Sequence, residues 1–466
     1  MTKLFDNLEK FKDRTALIDS DDIEYSYKDI LEESDNIGSQ IEKKSLVLII
    51  ASNSVDSIMG YISFIRSNTP SILLDDSFKV GYAKEVIKKY KPNYIFSPKK
   101  YFEEFNKFHN LCSLKNYSLI KTNFKRFDKI NTENLLLLST SGTTQSPKFV
   151  RLSNLNLQSN TKSIINYLKI KSHHTTITTM PMGYSYGLSI LNTHLASGSK
   201  IVVNNATIFE KKFWDKVYKY KISSMGGVPQ FYEQLKRLNF EKMNLTNLIY
   251  LTQAGGKLED GLLKYFGSAC KKKRIEFFVM YGQTEASPRM SYLKWDKFFS
   301  KYGSIGKALK GSKFKILDKK KKYINESKKI GELIYFGKNV SLGYAKVLKD
   351  LRNGDINKGK LFTGDLAYKD DENYFYITGR KNRISKVFGL RINLDDVEKH
   401  LKKNHYKIKC IPDNKYLKIL TTKNYSQINI KKIINDYYGI NKNFILISKV
   451  KQFAKLNSFK EVAKFN

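Results

Sequence analysis

Short apolar runs alternate with stretches of helical spacing along most of this chain. "SLVLII" (45–50) precedes "DSIMGYISFIRSN", where Ile58, Met59, Ile62 and Ile65 recur at helical intervals. Further runs predict strands: "NYIFS" (93–97), "NLLLLST" (134–140), "TTITTMP" (175–181), "KIVVNN" (200–205), "NLIYLTQ" (247–253) and "EFFVMYG" (276–282). Continuous rather than alternating apolar runs belong to strands covered on both faces. The expectation is therefore an α/β protein with largely parallel, doubly covered sheets. From about residue 312 the rhythm changes to strands and turns, "KFKILD", "GELIYFG" and "YFYITG", which predict a β region appended to the first part.

After "GRKNR" (379–383) a small α+β unit is expected. Leu394, Val397 and Leu401 make "NLDDVEKHLKK" an amphipathic helix, and Ile430, Ile433 and Ile434 mark a second. "KIKCI", "YLKILTT" and "FILISKV" read as strands. The expected division is a large N-terminal domain, residues 1–380 (β subregion about 312–380), and a small C-terminal domain, residues 381–466. No Pro/Gly/Ser linker marks the boundary.

A length of 466 residues fits more than one domain, and 41% hydrophobic content is ample for packed interiors. The formal net charge of +39 changes the picture more. It fits an acidic partner (nucleic acid, an anionic membrane, an acidic carrier domain) or the lysine-rich usage of an AT-rich genome. The lysines are spread along the chain rather than gathered in a tail, which favours the second. No nucleic-acid module is recognisable. Cys112, Cys270 and Cys410 lie far apart, offer no disulfide framework or zinc pair, and suit a reducing cytoplasm. The N-terminus is charged throughout, and no run approaches 18 apolar residues. A cytoplasmic protein without a membrane span is expected.

The chemistry starts where "LLLL" (135–138) runs into Ser139, Thr140, Ser141, Gly142, Thr143 and Thr144 and on to Pro147 and Lys148. Backbone N–H groups and hydroxyls at the exit of a buried strand can form a nest for phosphate oxygens, with a lysine supplying charge. It is not a Walker A loop: Pro147 stands where its second glycine would be, and Phe149 follows the lysine. An ordinary polar loop is the alternative.

"TSGTTQSPK" resembles the signature loop of the adenylate-forming superfamily, which includes acyl-CoA synthetases, aryl-CoA ligases, luciferases and the adenylation domains of peptide synthetases. Further segments are similar to that superfamily in the same order: "GGVPQFYEQL" (226–235), "TQAGGKL" (252–258), "YGQTEAS" (281–287), "GSIGKAL" (303–309), "GELIYFGKNVSLGYAK" (331–346) and "LFTGDLAYKDDENYFYITGRKNRISKVFGLRINLDDVEKHL" (361–401). The likeness runs from about residue 135 to the C-terminus and is weaker before it.

The resemblance implies an acid–thiol ligase. A carboxylate attacks the α-phosphorus of ATP, pyrophosphate leaves, and a thiol then takes the acyl group from AMP. It assigns Ser141, Gly142, Thr143, Thr144 and Lys148 to the triphosphate tail, and Glu285, beside Thr284, to Mg²⁺. Tyr281 would stack near the adenine, with Gly255 on the nucleotide side and Gly256 on the pocket side of their segment. Asp365 would accept hydrogen bonds from the ribose hydroxyls, a task suited to an acceptor-only carboxylate, and Arg380 would contact ribose or phosphate. Asn382 takes the hinge position of a mobile C-terminal lid. Lys460, in "AKLNSFK", takes the place of the lysine that reaches the α-phosphate and the carboxylate.

Four positions depart from the pattern. Gln145 and Phe149 replace loop glycines, so strain or a different loop shape is expected there. Ala454 and Phe459 replace a proline and a glycine of the lysine loop. In "MPMGYSYGLSILNTHLASG" (180–198), Tyr184 takes the aromatic-gate position. Ser185 stands where amino-acid-activating members place an aspartate, so the resemblance implies an acid without a free α-amino group. The expected partners are a small carboxylic acid, ATP, Mg²⁺, and CoA or the phosphopantetheine of an acidic acyl carrier protein. The alternative is a catalytically degenerate member acting as a binding or scaffold protein. His173 and His174 are expected at the surface, and His194 is expected to be a satisfied core histidine.

Overall fold

The computed structural model describes residues 4–77, 80–106, 108–127, 129–139, 147–318, 320–380, 384–387, 390–413 and 415–450. The chain divides into two compact units, with residues 1–140 and 147–381 in the larger and residues 382–466 in the smaller.

Among the described residues the large unit contains sheets of nine, eight and five strands. In the nine-stranded sheet the strands Glu276–Gly282, Tyr250–Gln253, Ser224–Gly227, Thr175–Ile177, Lys200–Val202 and Thr15–Ile18 lie side by side, all parallel. Antiparallel strands close both edges. The eight-stranded sheet has a parallel centre, Leu136–Ser139, Ser71–Asp75, Val47–Ala51 and Tyr94–Pro98. The five-stranded sheet is antiparallel and starts at Lys313–Leu317, near the expected change of rhythm.

The leucine run shows why the centre of a sheet must be continuously apolar. Leu136 and Leu138 join a core with Tyr61, Leu188, Leu191 and Leu195. Leu137 points the other way, among Tyr90, Phe149 and Leu351. The helices Val55–Arg66 and Ser185–Ala196 contribute to the first of these cores. Eleven of the twelve residues in Val55–Arg66 are buried, so the helical spacing read from four positions understates its burial.

In the small unit, a hairpin pairs Ile384–Val387 with Leu390–Asn393, and a three-stranded sheet joins Ile408–Ile411, Leu417–Thr421 and Ile445–Lys449. Leu394, Val397, Leu401, Ile430 and Ile434 from its two helices meet in one core. Among the described residues no helix is long and apolar enough to cross a membrane.

Two expectations need correction. His173 is exposed, but His174 is buried (6% exposed), because it leads directly into the central strand Thr175–Ile177 and its Nδ1 accepts the Lys171 N–H. Phe149 brings no strain: it lies in the strand Phe149–Leu152, without positive φ, and packs edge-on against Tyr90.

Candidate functional site

The strand Leu136–Ser139 ends where the small-residue run begins; Ser141, Gly142, Thr143, Thr144 and Gln145 lie outside the described residues. The chain is held again at Pro147, whose carbonyl accepts the Tyr90 hydroxyl (3.2 Å) and Lys89 Nζ (3.3 Å). Lys148 comes next, and its Nζ sits 3.4 Å above the ring of Tyr344, a cation–π contact worth roughly 0.5–2 kcal/mol. Antiparallel pairing of Gly343–Ala345 with Phe149–Leu152 brings that ring there.

Tyr344 also donates from its hydroxyl to Glu285 Oε1 (2.7 Å). One aromatic side chain thus bridges the loop lysine and the acidic residue at the exit of the strand Glu276–Gly282. Glu285 is 7% exposed, and its Oε2 is buried without a hydrogen-bond partner. Leaving a carboxylate oxygen bare inside a protein costs more than the net gain of an ordinary hydrogen bond. An orphaned hard oxygen of this kind fits a divalent cation. No cluster of three or more His, Cys, Asp or Glu side chains is present among the described residues, so Glu285 would share the ion with ligand oxygens.

Upstream in the same segment, Tyr281 donates to Asp365 Oδ2 at 2.5 Å, and Gln283 Nε2 donates to the same oxygen at 3.0 Å. Asp365 is buried, and its register partner across the strands Lys360–Lys369 and Phe375–Arg380 is Arg380. The spacing between Asp365 and Arg380 is therefore the length of a hairpin that returns the arginine beside the aspartate. Tyr281, Thr284, Glu285, Asp365 and Lys148 belong to one connected set, and Arg380 stands opposite Asp365 in the strand register. Asn382 and Lys460 lie outside the described residues.

The pocket segments join this set from the other side. The helix Ser185–Ala196 starts after Tyr184, and Ser185 Oγ lies 3.1 Å from Thr284 Oγ1. Gly255 has φ +82°, and a Cβ there would lie 2.8 Å from the Tyr184 hydroxyl, so glycine is what lets the gate aromatic approach the turn. Gly256 accepts from Gln253 Nε2 (2.8 Å), which fixes the turn from beneath. Tyr186 is buried and donates to the Thr252 carbonyl (2.8 Å). Tyr344, Gln283 and Arg289 were not among the sequence-derived candidates. Tyr344 and Gln283 stand inside quoted segments, but only their partners give them meaning.

His194 is a satisfied core histidine, as expected. Its Nδ1 lies 2.8 Å from the Ile190 carbonyl, which can only accept, so Nδ1 carries the proton and Nε2 faces Ser224 Oγ (3.3 Å) and Tyr250 Oη (3.4 Å) as acceptor. Burial pushes its pKa from 6.5 down to about 4. The unfolded chain therefore takes up the proton first as pH falls. The stability held by neutral His194 is present above pH 6.5 and is lost as pH drops through the window to about 4. Between pH 7 and pH 5 the large unit is expected to lose about 2 kcal/mol from this group. Both tryptophans, Trp214 and Trp295, lie in that unit, so urea unfolding followed by tryptophan fluorescence measures it. In His194→Gln the slope over that window should flatten; an unchanged slope refutes the assignment.

Tyr344 thus brings the lysine that follows the small-residue run to the acidic turn after the strand Glu276–Gly282. Residues 4–345 match the AMP-binding enzyme family, and the chain belongs to that family. Curated relatives include the oxalate–CoA ligase of Saccharomyces cerevisiae, 29% identical over 60% of this chain and 51% of its own length. The 2-succinylbenzoate–CoA ligase of Bacillus cytotoxicus is 29% identical over 54% of this chain and 50% of its own length. The chain spans about half the length of the curated relatives it matches. Among solved structures, a double mutant of the o-succinylbenzoate CoA synthetase of Bacillus subtilis, bound with a product analogue, superposes with TM-score 0.78 at 18% identity. The match covers 97% of this chain and 94% of that one. The same synthetase in complex with ATP and magnesium ion superposes at 0.68, with 17% identity and 97% and 96% coverage. These likenesses establish an α/β adenylate-forming fold with a large N-terminal and a small C-terminal domain.

Proposed function

We propose that this protein is an ATP-dependent acid–thiol ligase that activates a small carboxylic acid as its acyl-adenylate and transfers it to CoA or a carrier-protein phosphopantetheine. In the first step a substrate carboxylate oxygen bonds to the α-phosphorus, the α–β anhydride breaks, and pyrophosphate leaves. In the second a thiolate adds to the acyl carbon and AMP departs with the bonding electrons. The observation that carries the reading is the short segment from Tyr281 to Glu285. It meets Asp365 through Tyr281 and Gln283, meets Lys148 through Tyr344, and ends on a buried carboxylate oxygen with no partner.

Within this reading Asp365 and Arg380 hold the ribose, and Tyr281 flanks the base. Ser141, Gly142, Thr143, Thr144 and Lys148 take the phosphates, and Glu285 holds Mg²⁺, which supplies charge neutralisation when bound. Tyr184, Ser185 and Gly256 border the acid. The C-terminal unit serves as a lid hinged at Asn382 that supplies Lys460. The names of the relatives, ligases of oxalate and 2-succinylbenzoate, support CoA as the acceptor.

Acid-dependent ATP–pyrophosphate exchange tests the reading. Exchange should require Mg²⁺ and a carboxylic acid, and Lys460→Ala should lower it about 10²- to 10³-fold, the usual loss for one cationic or hydrogen-bonding partner of the reacting centre. If no acid in a broad pool supports exchange, the degenerate binding-protein reading replaces this one.

A further inference from the structure

Among the described residues of the large unit two arginines are almost completely buried, and their surroundings offer them different numbers of acceptors. Arg151 is fully buried and donates to the carbonyls of Leu342, Asn353 and Gly354 and to Asn134 Oδ1. Arg289, 3% exposed, donates from Nη2 to Ser189 Oγ at 3.1 Å, has the Tyr167 hydroxyl nearby, and lies 4.5 Å from the centre of the Tyr186 ring. Its Nε, like that of Arg151, is buried with no partner, and among the described residues no carboxylate pairs with it. A guanidinium has five N–H donors and cannot shed its charge, so burying one with so few acceptors is unfavourable unless an anion completes it.

The space beside Arg289 is a small cavity of mixed lining, with Ile164, Leu168, Ile190 and Met225 on its apolar side. Ser189, Thr193, His194, Ser224, Tyr250 and Thr252 line it with Arg289, and its volume of about 10 Å³ suits one water. Its place relative to the proposed active site is set by the helix Ser185–Ala196. Ser185 touches Thr284, and one turn on, Ser189 touches Arg289. Positions four apart share a helix face, so the two contacts are about 6 Å apart along the same wall. Tyr186 closes that wall: its hydroxyl is fixed on Thr252, and a Cβ at Gly226 would lie 3.0 Å from it.

We infer that Arg289 is a specificity-determining residue that receives a second carboxylate of the acid, so that the substrate is a short dicarboxylic acid of roughly three to five carbons. The inference rests on the ligase reading above. The first carboxylate is presented near Ser185 and Thr284 for adenylation. The second pairs with the guanidinium, displacing the water the gap can hold while the lining side chains give way, and supplies acceptors for Arg289. A monocarboxylate of the same length would leave the cation unpaired, and this, rather than chain length alone, sets the discrimination.

The test is ATP–pyrophosphate exchange by the full chain with malonate, succinate and glutarate against propionate, butyrate, valerate and decanoate. At least one diacid should support exchange about 100-fold better, as kcat/KM, than the monoacid of equal length. In Arg289→Met that ratio should collapse, mainly through KM, and Arg289→Lys should recover part of it. A monoacid preference in the wild-type protein overturns the inference while leaving the ligase reading intact. If no acid supports exchange, calorimetric titration of the three diacids into the protein with AMP present decides the matter separately. Binding lost in Arg289→Met upholds the anion site, and no binding by the wild-type protein overturns it. Because the wild-type panel is decisive by itself, a Met variant that fails to fold does not rescue the idea.

Discussion

Glu285→Gln is expected to lower Mg²⁺-dependent pyrophosphate exchange about 10²- to 10³-fold while leaving the protein as stable as before, or more so. The shape of the side chain is retained, and its carbonyl oxygen can still accept the Tyr344 hydroxyl that now reaches Oε1 at 2.7 Å. What disappears is a buried negative charge with one oxygen unpaired. If the carboxylate were there to hold the fold, its neutralisation would cost stability. If it is there to hold a cation at the reacting phosphate, its neutralisation costs rate and removes a buried charge, although Nε2 inherits the unpartnered place of Oε2, a trade between activity and stability common at functional sites. The two measurements separate the cases. Partial rescue by raised Mg²⁺ is expected as well, because the ligand is weakened rather than blocked. Full exchange activity in Glu285→Gln, or lost stability with unaltered Mg²⁺ dependence, refutes the role proposed for this residue.

Much of this site could be read from the chain because its parts are strand exits, and strand exits come after apolar runs. "EFFVMYG" became the strand Glu276–Gly282 residue for residue, and the short helical turn Thr284–Ala286 just beyond it positions Glu285. "NLIYLTQ" yielded only Tyr250–Gln253: Leu248 is buried on the approach, and Ile249 is exposed, although its backbone already bonds to Ser223 O and the Glu276 N–H. Other parts are invisible in a linear reading. Tyr344 meets Glu285 across 59 residues, Gln283 meets Asp365 across 82, and Arg289 meets Ser189 across 100. A tyrosine in "SLGYAK" has no local pattern that distinguishes a bridge between a lysine and a glutamate from an ordinary packed aromatic. Arg289 did carry a weak signal, since it stands four residues past the acidic turn on the first residue of a strand. His174 misled for the reverse reason. Its polar neighbours suggest surface, but the strand it enters belongs to the middle of a nine-stranded sheet, where the tertiary setting overrides local polarity.

Arg151→Met should destabilise the large unit by about 3–5 kcal/mol, the largest stability effect expected of a single substitution outside the ligand-binding residues. No local pattern singles out this arginine, yet its guanidinium is the clamp between two pieces of the site. It lies on the strand just after Lys148 and donates to Leu342 O at 2.8 Å and Gly354 O at 3.0 Å, with further bonds to Asn353 O and Asn134. Burial lowers its pKa from the usual arginine value, while Asp350, Asp355 and Glu133 oppose that shift. Methionine keeps most of the volume and apolar stem but takes the guanidinium donors from the Asn353 and Gly354 carbonyls and Asn134 Oδ1, while Leu342 O keeps the Ile356 N–H. At the urea sensitivities of ordinary domains, a loss of this size moves the tryptophan-fluorescence midpoint down by about 1 M. Because the clamped segment includes Gly343–Ala345, the Tyr344 ring should lose its fixed place over Lys148, and exchange activity should fall even at temperatures where the variant stays folded. A midpoint within about 0.2 M of the wild-type value, comparable to the scatter of such measurements, would mean that water can take the guanidinium's place, and the clamp would then have no structural role.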